Sequence, residues 1–245
     1  EDQPDRAPQW QEIELEFNAA RESANAYTEV EGWVVFAHED GSLLRRPMFW
    51  DGGRTFRVRF ASTRCSGAWH WRSFDREGDP GLRGHSGTLL ATNATNATAS
   101  LTIFTRHGFW SIPSGGRNLL HADGTARLLC ADTVWALPWR ATVDQVEDYA
   151  HDRQAKGFNA ALLMTVQPDM GCSGPRSRSE DLGFDVGFEE LPHGTLRQMR
   201  PDYFQYFDRL VGILVSHGIA PVYQPVFHGY GWKGRRVAGN VLSAE

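Results

Sequence analysis

No stretch of this 245-residue chain stays apolar for the roughly 20 positions that a membrane-spanning helix needs, so no helical span is expected. Cysteine is scarce. Cys65, Cys130 and Cys172 show no metal-type spacing, and their odd number excludes a fully paired disulfide framework. They read as buried or half-buried thiols. Positive charge is not in excess either. The net charge of -5 gives no electrostatic reason to expect a nucleic-acid partner. The nine histidines form no H-x-x-x-H or comparable ligand pattern. "GHSGTLLATN" (84–93) holds no nucleophile elbow, and no glycine-rich phosphate loop follows a strand. Metal, nucleotide-cofactor and serine-hydrolase chemistry are therefore not expected, and no cofactor is implied. The first residues, Glu1 to Pro4, include no methionine, which fits the removal of an N-terminal piece such as a signal peptide.

What is plentiful is tryptophan, with nine residues. Core packing can use some of them, and flat rings are also what a sugar-binding surface needs. The length allows one large domain or two ordinary ones, and the patterning favours two.

Residues 10–106 read as short strands divided by turns. "EIELEF" (12–17), "GWVVFAH" (32–38), "TFRVRFAS" (55–62), "GAWHWRSF" (67–74) and "ASLTIF" (99–104) form the series, with "WDGG" (50–53) and "DREGDPG" (75–81) as turns. Several short strands at this spacing predict an antiparallel β-sandwich. In "TFRVRF" the alternation puts Phe56, Val58 and Phe60 on one face and Arg57 and Arg59 on a solvated one. "NATNAT" (93–98) carries acceptor-like sequons at Asn93 and Asn96, and reads more simply as a polar turn.

From about residue 117 the pattern changes. The apolar run 127–131 predicts a strand buried on both faces. A helix over 142–158 follows, with Thr142 as cap, Val143, Val146, Tyr149 and Ala150 as stripe, and Gly157 as stop. "NAALLMTV" (159–166) is the next buried strand. After a long loop, residues 202–218 predict a second helix with Phe204, Phe207, Leu210, Val211 and Leu214 inward and Gly218 at its end. "IAPVYQPVF" (219–227) is the third strand. The β-α-β-α-β order requires a parallel sheet with right-handed crossovers.

"HADGTARLLCADTVWAL" (121–137), "RQAKGFNAALLM" (153–164) and "RPDYFQYFDRLVGILVSHGIAPVYQPVFHGYGW" (200–232) resemble, in order, the start of an apiosidase-like glycoside hydrolase catalytic domain. Ala131 stands where that family's Gly-Asp-Thr-x-Trp strand end has its first glycine. "MFWDGGRTFRVRFAS" (48–62) and "SGAWHWRS" (66–73) look like the immunoglobulin-like domain that often precedes it. The resemblance implies an N-terminal extension (1–9), an all-β immunoglobulin-like sandwich (10–106), a docked connector (107–126) and the first three units of a (β/α)₈ TIM barrel (127–245). It also implies a secreted or periplasmic hydrolase acting on an oligo- or polysaccharide with two carboxylates. Those carboxylates fall after strands four and seven of such barrels, which lie beyond Glu245. The rest of the barrel is then expected outside these residues, on another chain, or in a homo-oligomer. A non-catalytic carbohydrate-binding protein is the rival reading.

Barrel enzymes hold substrate at the C-terminal ends of their strands. Asp132, with Trp135 and Trp139 close behind, ends the first strand as a carboxylate for sugar hydroxyls beside aromatic faces. Asp132 reads otherwise as a helix cap, and the tryptophans as core. Gln167 and Asp169 follow the second strand. Gln224, His228, Tyr230 and Trp232 follow the third among glycines. Glu189 and Glu190 read as a charge pair in the long loop.

Overall fold

Strict alternation builds the first half of the chain. The computed structural model describes residues 3–93, 102–166, 187–188 and 196–225, and they divide into two compact units at Arg127 and Leu128. In the first unit β1 (Arg6–Pro8), β2 (Glu12–Asn18), a helical turn α1 (Ala26–Glu29), β3 (Gly32–His38), β4 (Leu43–Pro47) and β5 (Phe49–Trp50) come in succession. They are followed by β6 (Thr55–Ala61), β7 (Ala68–Asp75) and β8 (Ser86–Thr92). One sheet runs β1-β8-β7-β3-β4 and a second runs β2-β6-β5. Only the β1–β8 pairing is parallel among these strands.

The inward residues of both sheets meet in one core. Phe56, Val58 and Phe60 from β6 are all but inaccessible, as their alternation predicts. They pack with Val34 and Phe36 of β3 and Trp69 and Trp71 of β7. Phe36 and Phe60 stack across the sheets with ring centroids 4.1 Å apart. The far face of β6 is more than a solvated surface. Arg57 is ion-paired to Glu14, Glu16 and Asp51 at 2.6–2.7 Å, so the cross-strand rows carry complementary charge.

Three features depart from the sequence expectations. Strands β1, β4, β5 and β8 are additional. Ile103 and Phe104, the end of the strand expected over 99–104, instead begin a helical turn, α2 (Ile103–His107), because the Thr102 hydroxyl accepts the Thr105 N–H and so favours a turn over a ladder. Residues 110–127 then make a small antiparallel sheet of β9 (Trp110–Ser111), β10 (Leu119–His121) and β11 (Ala126–Arg127). His121 pins it: its buried ring accepts the Trp110 indole N–H at 3.0 Å through Nε2, which leaves Nδ1 to donate to Gly108 O at 2.7 Å.

The second unit is β12 (Ala131–Thr133), α3 (Leu137–Arg140), α4 (Val143–Ala155), β13 (Ala160–Met164), α5 (Pro201–Ser216) and β14 (Ala220–Gln224). The strands form a parallel sheet in the order β12-β13-β14. Thr142 and Gln145 make the reciprocal capping box that starts α4. Gly157 and Gly218, at positive φ of 82° and 74°, stop α4 and α5 where a side chain would be strained. The buried stripe of α5 is Tyr203, Tyr206, Phe207, Leu210 and Leu214, with Phe204 and Val211 only partly covered. The first strand is displaced from the predicted 127–131, sharing only Ala131 with it. Leu128 and Leu129 precede it and are 85% and 48% exposed, so they are not the doubly buried strand residues that their apolar run predicts. Among the described residues no helix is long and apolar enough to cross a membrane.

The turn after β7 generates a stability prediction. Asp79 is buried and accepts the backbone N–H groups of Ala20, Arg21 and Gly81 at 2.7–2.9 Å. Burial alone would raise its pKa, but those N–H groups and the charge of Arg21 outweigh it and hold the carboxyl below its usual range. Asp79→Asn must turn an amide N–H toward one of these donors, at a cost of about 2 kcal/mol. The expected outcome at pH 7 is a melting temperature of the first unit lower by roughly 5–10 °C. The advantage of Asp79 is complete above the ordinary carboxylate pKa and lost as pH falls through the depressed native value, so the two proteins converge in acid. Equal melting at pH 7 contradicts the assignment.

Candidate functional site

Because β12, β13 and β14 are parallel, their C-terminal ends lie along one rim. The rim is knitted by backbone bonds: Val134 N–H to Leu162 O (3.1 Å), Met164 N–H to Trp135 O (3.3 Å) and Thr165 N–H to Gln224 O (3.0 Å). Beneath it the Tyr203 hydroxyl, fully buried at the start of α5, donates to Thr165 O at 2.7 Å. The Thr165 hydroxyl oxygen is inaccessible and has no hydrogen-bond partner among the described residues.

The register decides which side chains share a face. Ala161 and Leu163 pack with Val146 and Ala150 of α4 and Leu210 and Leu214 of α5, so this face of the sheet is covered by helices. Asp132 pairs with Ala161 and therefore lies on that same helical face. Its carboxylate accepts the Tyr149 hydroxyl at 3.3 Å and pairs with Arg153 at 3.4 Å, both on α4. Burial raises the Tyr149 pKa above its ordinary value. The charge and hydrogen bond of Asp132 add to that, and Arg153 opposes it. Asp132 thus enters the structure as an anchor between β12 and α4.

The opposite face carries Thr133, paired with Leu162, which is paired with Val222, and then Met164 paired with Gln224. Thr133 is exposed and Gln224 half-buried. Trp139 is 4% exposed and packs with Met164, Val166, Phe188 and Tyr203, which is a core position. Trp135 is partly buried against that cluster, at the rim itself. Gln167, Asp169, His228, Tyr230 and Trp232 lie outside the described residues, as do Glu189 and Glu190. Among the predicted site residues, the structure brings Trp135 and Gln224 to the rim and turns Asp132 away from that face. Thr133 is the polar side chain that the sequence reading missed. Only its register against Leu162 identifies it. Among the described residues no group of three His, Cys, Asp or Glu side chains is arranged to hold a metal.

Three parallel strands with crossover helices packed on one face are an arrangement common to α/β folds. Residues 113–245 match the family model "Apiosidase-like, catalytic domain", and residues 6–76 match "Domain of unknown function (DUF5060)". The chain belongs to the apiosidase-like family. The fold is similar to that of a candidate glycoside hydrolase from Bacteroides vulgatus ATCC 8482. Its TM-score is 0.65 at 17% identity, over 89% of this chain and 41% of that one. A glycoside hydrolase family 5 structure from the same organism aligns over 52% of this chain and 26% of its own, with a TM-score of 0.38 and 20% identity. The chain spans about two fifths of the length of the first of these structures. No curated protein matches it.

The Asp132 anchor is open to a direct test. Asp132→Asn should lower the tyrosinate titration of Tyr149 toward its ordinary value, read as an absorbance difference against Tyr149→Phe. The substitution should also cost about 1–2 kcal/mol of stability at pH 7. An unchanged tyrosine titration contradicts the contact.

Proposed function

We propose that the whole protein is a glycoside hydrolase, exported from the cytoplasm, acting on an oligo- or polysaccharide. In this reading β12 to β14 are the first three strands of a (β/α)₈ barrel, and the first unit is an immunoglobulin-like support. The single observation that carries it is the rim, where three parallel strands of an apiosidase-like domain end together with Thr133 and Gln224 on the face away from the helices. Hydrolysis uses two carboxylates flanking the glycosidic bond, one as acid and the other as nucleophile or base. In barrel glycosidases they belong to strands four and seven, so neither is assigned to a residue of 1–245.

The residues on the described rim have binding work. The Gln224 amide supplies a donor and an acceptor, and the Thr133 hydroxyl does the same, which suits vicinal sugar hydroxyls. Trp135 offers apolar surface for the C–H side of a ring. Gln167, Asp169, His228, Tyr230 and Trp232 join them in this proposal through their place in the sequence after the same strand ends. Asp132 and Trp139 support the rim from behind, by holding α4 and by filling the core.

Kinetics of the whole enzyme separate the two roles. Gln224→Ala should lower kcat/KM by about tenfold, the value of one lost hydrogen bond that strengthens in the transition state, without lowering Tm. Trp139→Ala should unfold the unit more readily, by about 3–5 kcal/mol. Unaltered turnover in Gln224→Ala, or no release of reducing ends from any glycan by the intact enzyme, contradicts the proposal.

A further inference from the structure

The outer face of the five-stranded sheet in the first unit carries a charge opposite to that of the chain. The registers of β1, β3, β4, β7 and β8 bring Arg6, Arg45, Arg72 and His70 to this face, and the outward positions within these strands hold no carboxylate; Glu31 and Glu39 flank β3 at its two ends. The chain as a whole is negative, at -5. Arg45 and Arg72 both pair with Val35, one from each side, so their backbones stand two strands apart, roughly 10 Å. Each guanidinium is held over an aromatic ring. Arg45 Cζ lies 4.2 Å from the centroid of Trp33, and Arg72 Cζ lies 5.8 Å from that of Phe74. The two rings stack on each other at 5.9 Å with an interplanar angle of 12°. A guanidinium laid on a ring keeps its N–H edge available for a two-oxygen acceptor.

The face is open. Arg45 is 59% exposed, and the nearby Leu43 and Leu90 are 69% and 51% exposed. Glu31 approaches Arg45 only to 3.9 Å and is paired more closely with Arg76, at 2.9 Å. An exposed contact of that length contributes little and leaves the guanidinium available.

We propose that this face binds an anionic polysaccharide, one bearing carboxylate or sulfate groups. The choice of a glycan over another polyanion rests on the proposed hydrolase function. The flat surface, with two forked cations roughly 10 Å apart, suits an extended charged polymer better than a single small anion. Val35 between Arg45 and Arg72, with Leu43 beside Arg45 on β4 and Leu90 beside Arg6, supplies apolar surface for the C–H faces of its rings.

Affinity electrophoresis of the full chain tests this with polygalacturonate, dextran sulfate, neutral dextran and single-stranded DNA as probes. Retardation by polygalacturonate or dextran sulfate, but not by neutral dextran, is expected, and it should fade as salt rises. The double variant Arg45→Ala/Arg72→Ala should raise the apparent Kd about fivefold, the effect of two exposed charged contacts. Arg45→Lys/Arg72→Lys should fall between, since it keeps charge and loses the fork. Arg209→Ala, which removes a positive charge from α5, should change nothing. Circular-dichroism melting checks that each variant is folded. No retardation, equal retardation by neutral dextran, or equal retardation of folded wild type and double alanine variant overturns the proposal. DNA retardation as strong as that by either glycan overturns the glycan assignment. Turnover of a small soluble glycoside is read on the same preparations. Binding without turnover counts against the hydrolase reading alone, and turnover without binding counts against this inference alone.

Discussion

Ala161 and Leu163, alternate residues on one face of β13, are sealed by Val146 and Ala150 of α4 and Leu210 and Leu214 of α5. That seal fixes the orientation of the whole second unit, because strand side chains alternate and parallel neighbours share a register. Once Ala161 faces the helices, Asp132 must do so too, and Thr133, Leu162, Val222 and Gln224 must face the other way. The same apolar contact that stabilises the sheet therefore sorts its polar residues. A carboxylate on the helical side needs partners there, and Tyr149 and Arg153 supply them.

Much of this was legible in the sequence and some was not, for reasons that differ by residue. The stops at Gly157 and Gly218 and the cap at Thr142 are local: each needs only neighbours a few positions away, so sequence suffices. The buried face Phe56–Val58–Phe60 follows from alternation within one strand. Asp132 is different. Its direction depends on which face of a partner strand the helices cover, and composition at the strand end says nothing of that. The α5 stripe includes Tyr203 and Tyr206 because their hydroxyls reach backbone carbonyls at Thr165 and Ala141, which lets polar-tipped rings serve as core. Ile103 and Phe104 read as the end of a strand because they are apolar and β-prone, while the Thr102 hydroxyl settles them as a helix start.

The first unit shows how one fold surface can differ in character from another. Its inner faces are aromatic and apolar. The outer face of the β2-β6-β5 sheet neutralises Arg57 with Glu14, Glu16 and Asp51 at 2.6–2.7 Å, whereas the outer face of the other sheet stacks Arg45 and Arg72 on rings, with Glu31 reaching Arg45 only at 3.9 Å. Closely paired charges stabilise a sheet, and an arginine held only by a long, exposed contact can still engage an external partner.

The central claim is that sugar is held at the C-terminal rim of the parallel strands, on the face away from α4 and α5. The most direct measurement is a crystal structure of the whole protein with an oligosaccharide bound. The account predicts sugar hydroxyls within hydrogen-bond distance of Gln224 or Thr133. Sugar bound on the helical face beside Tyr149, with none at the rim, would contradict it.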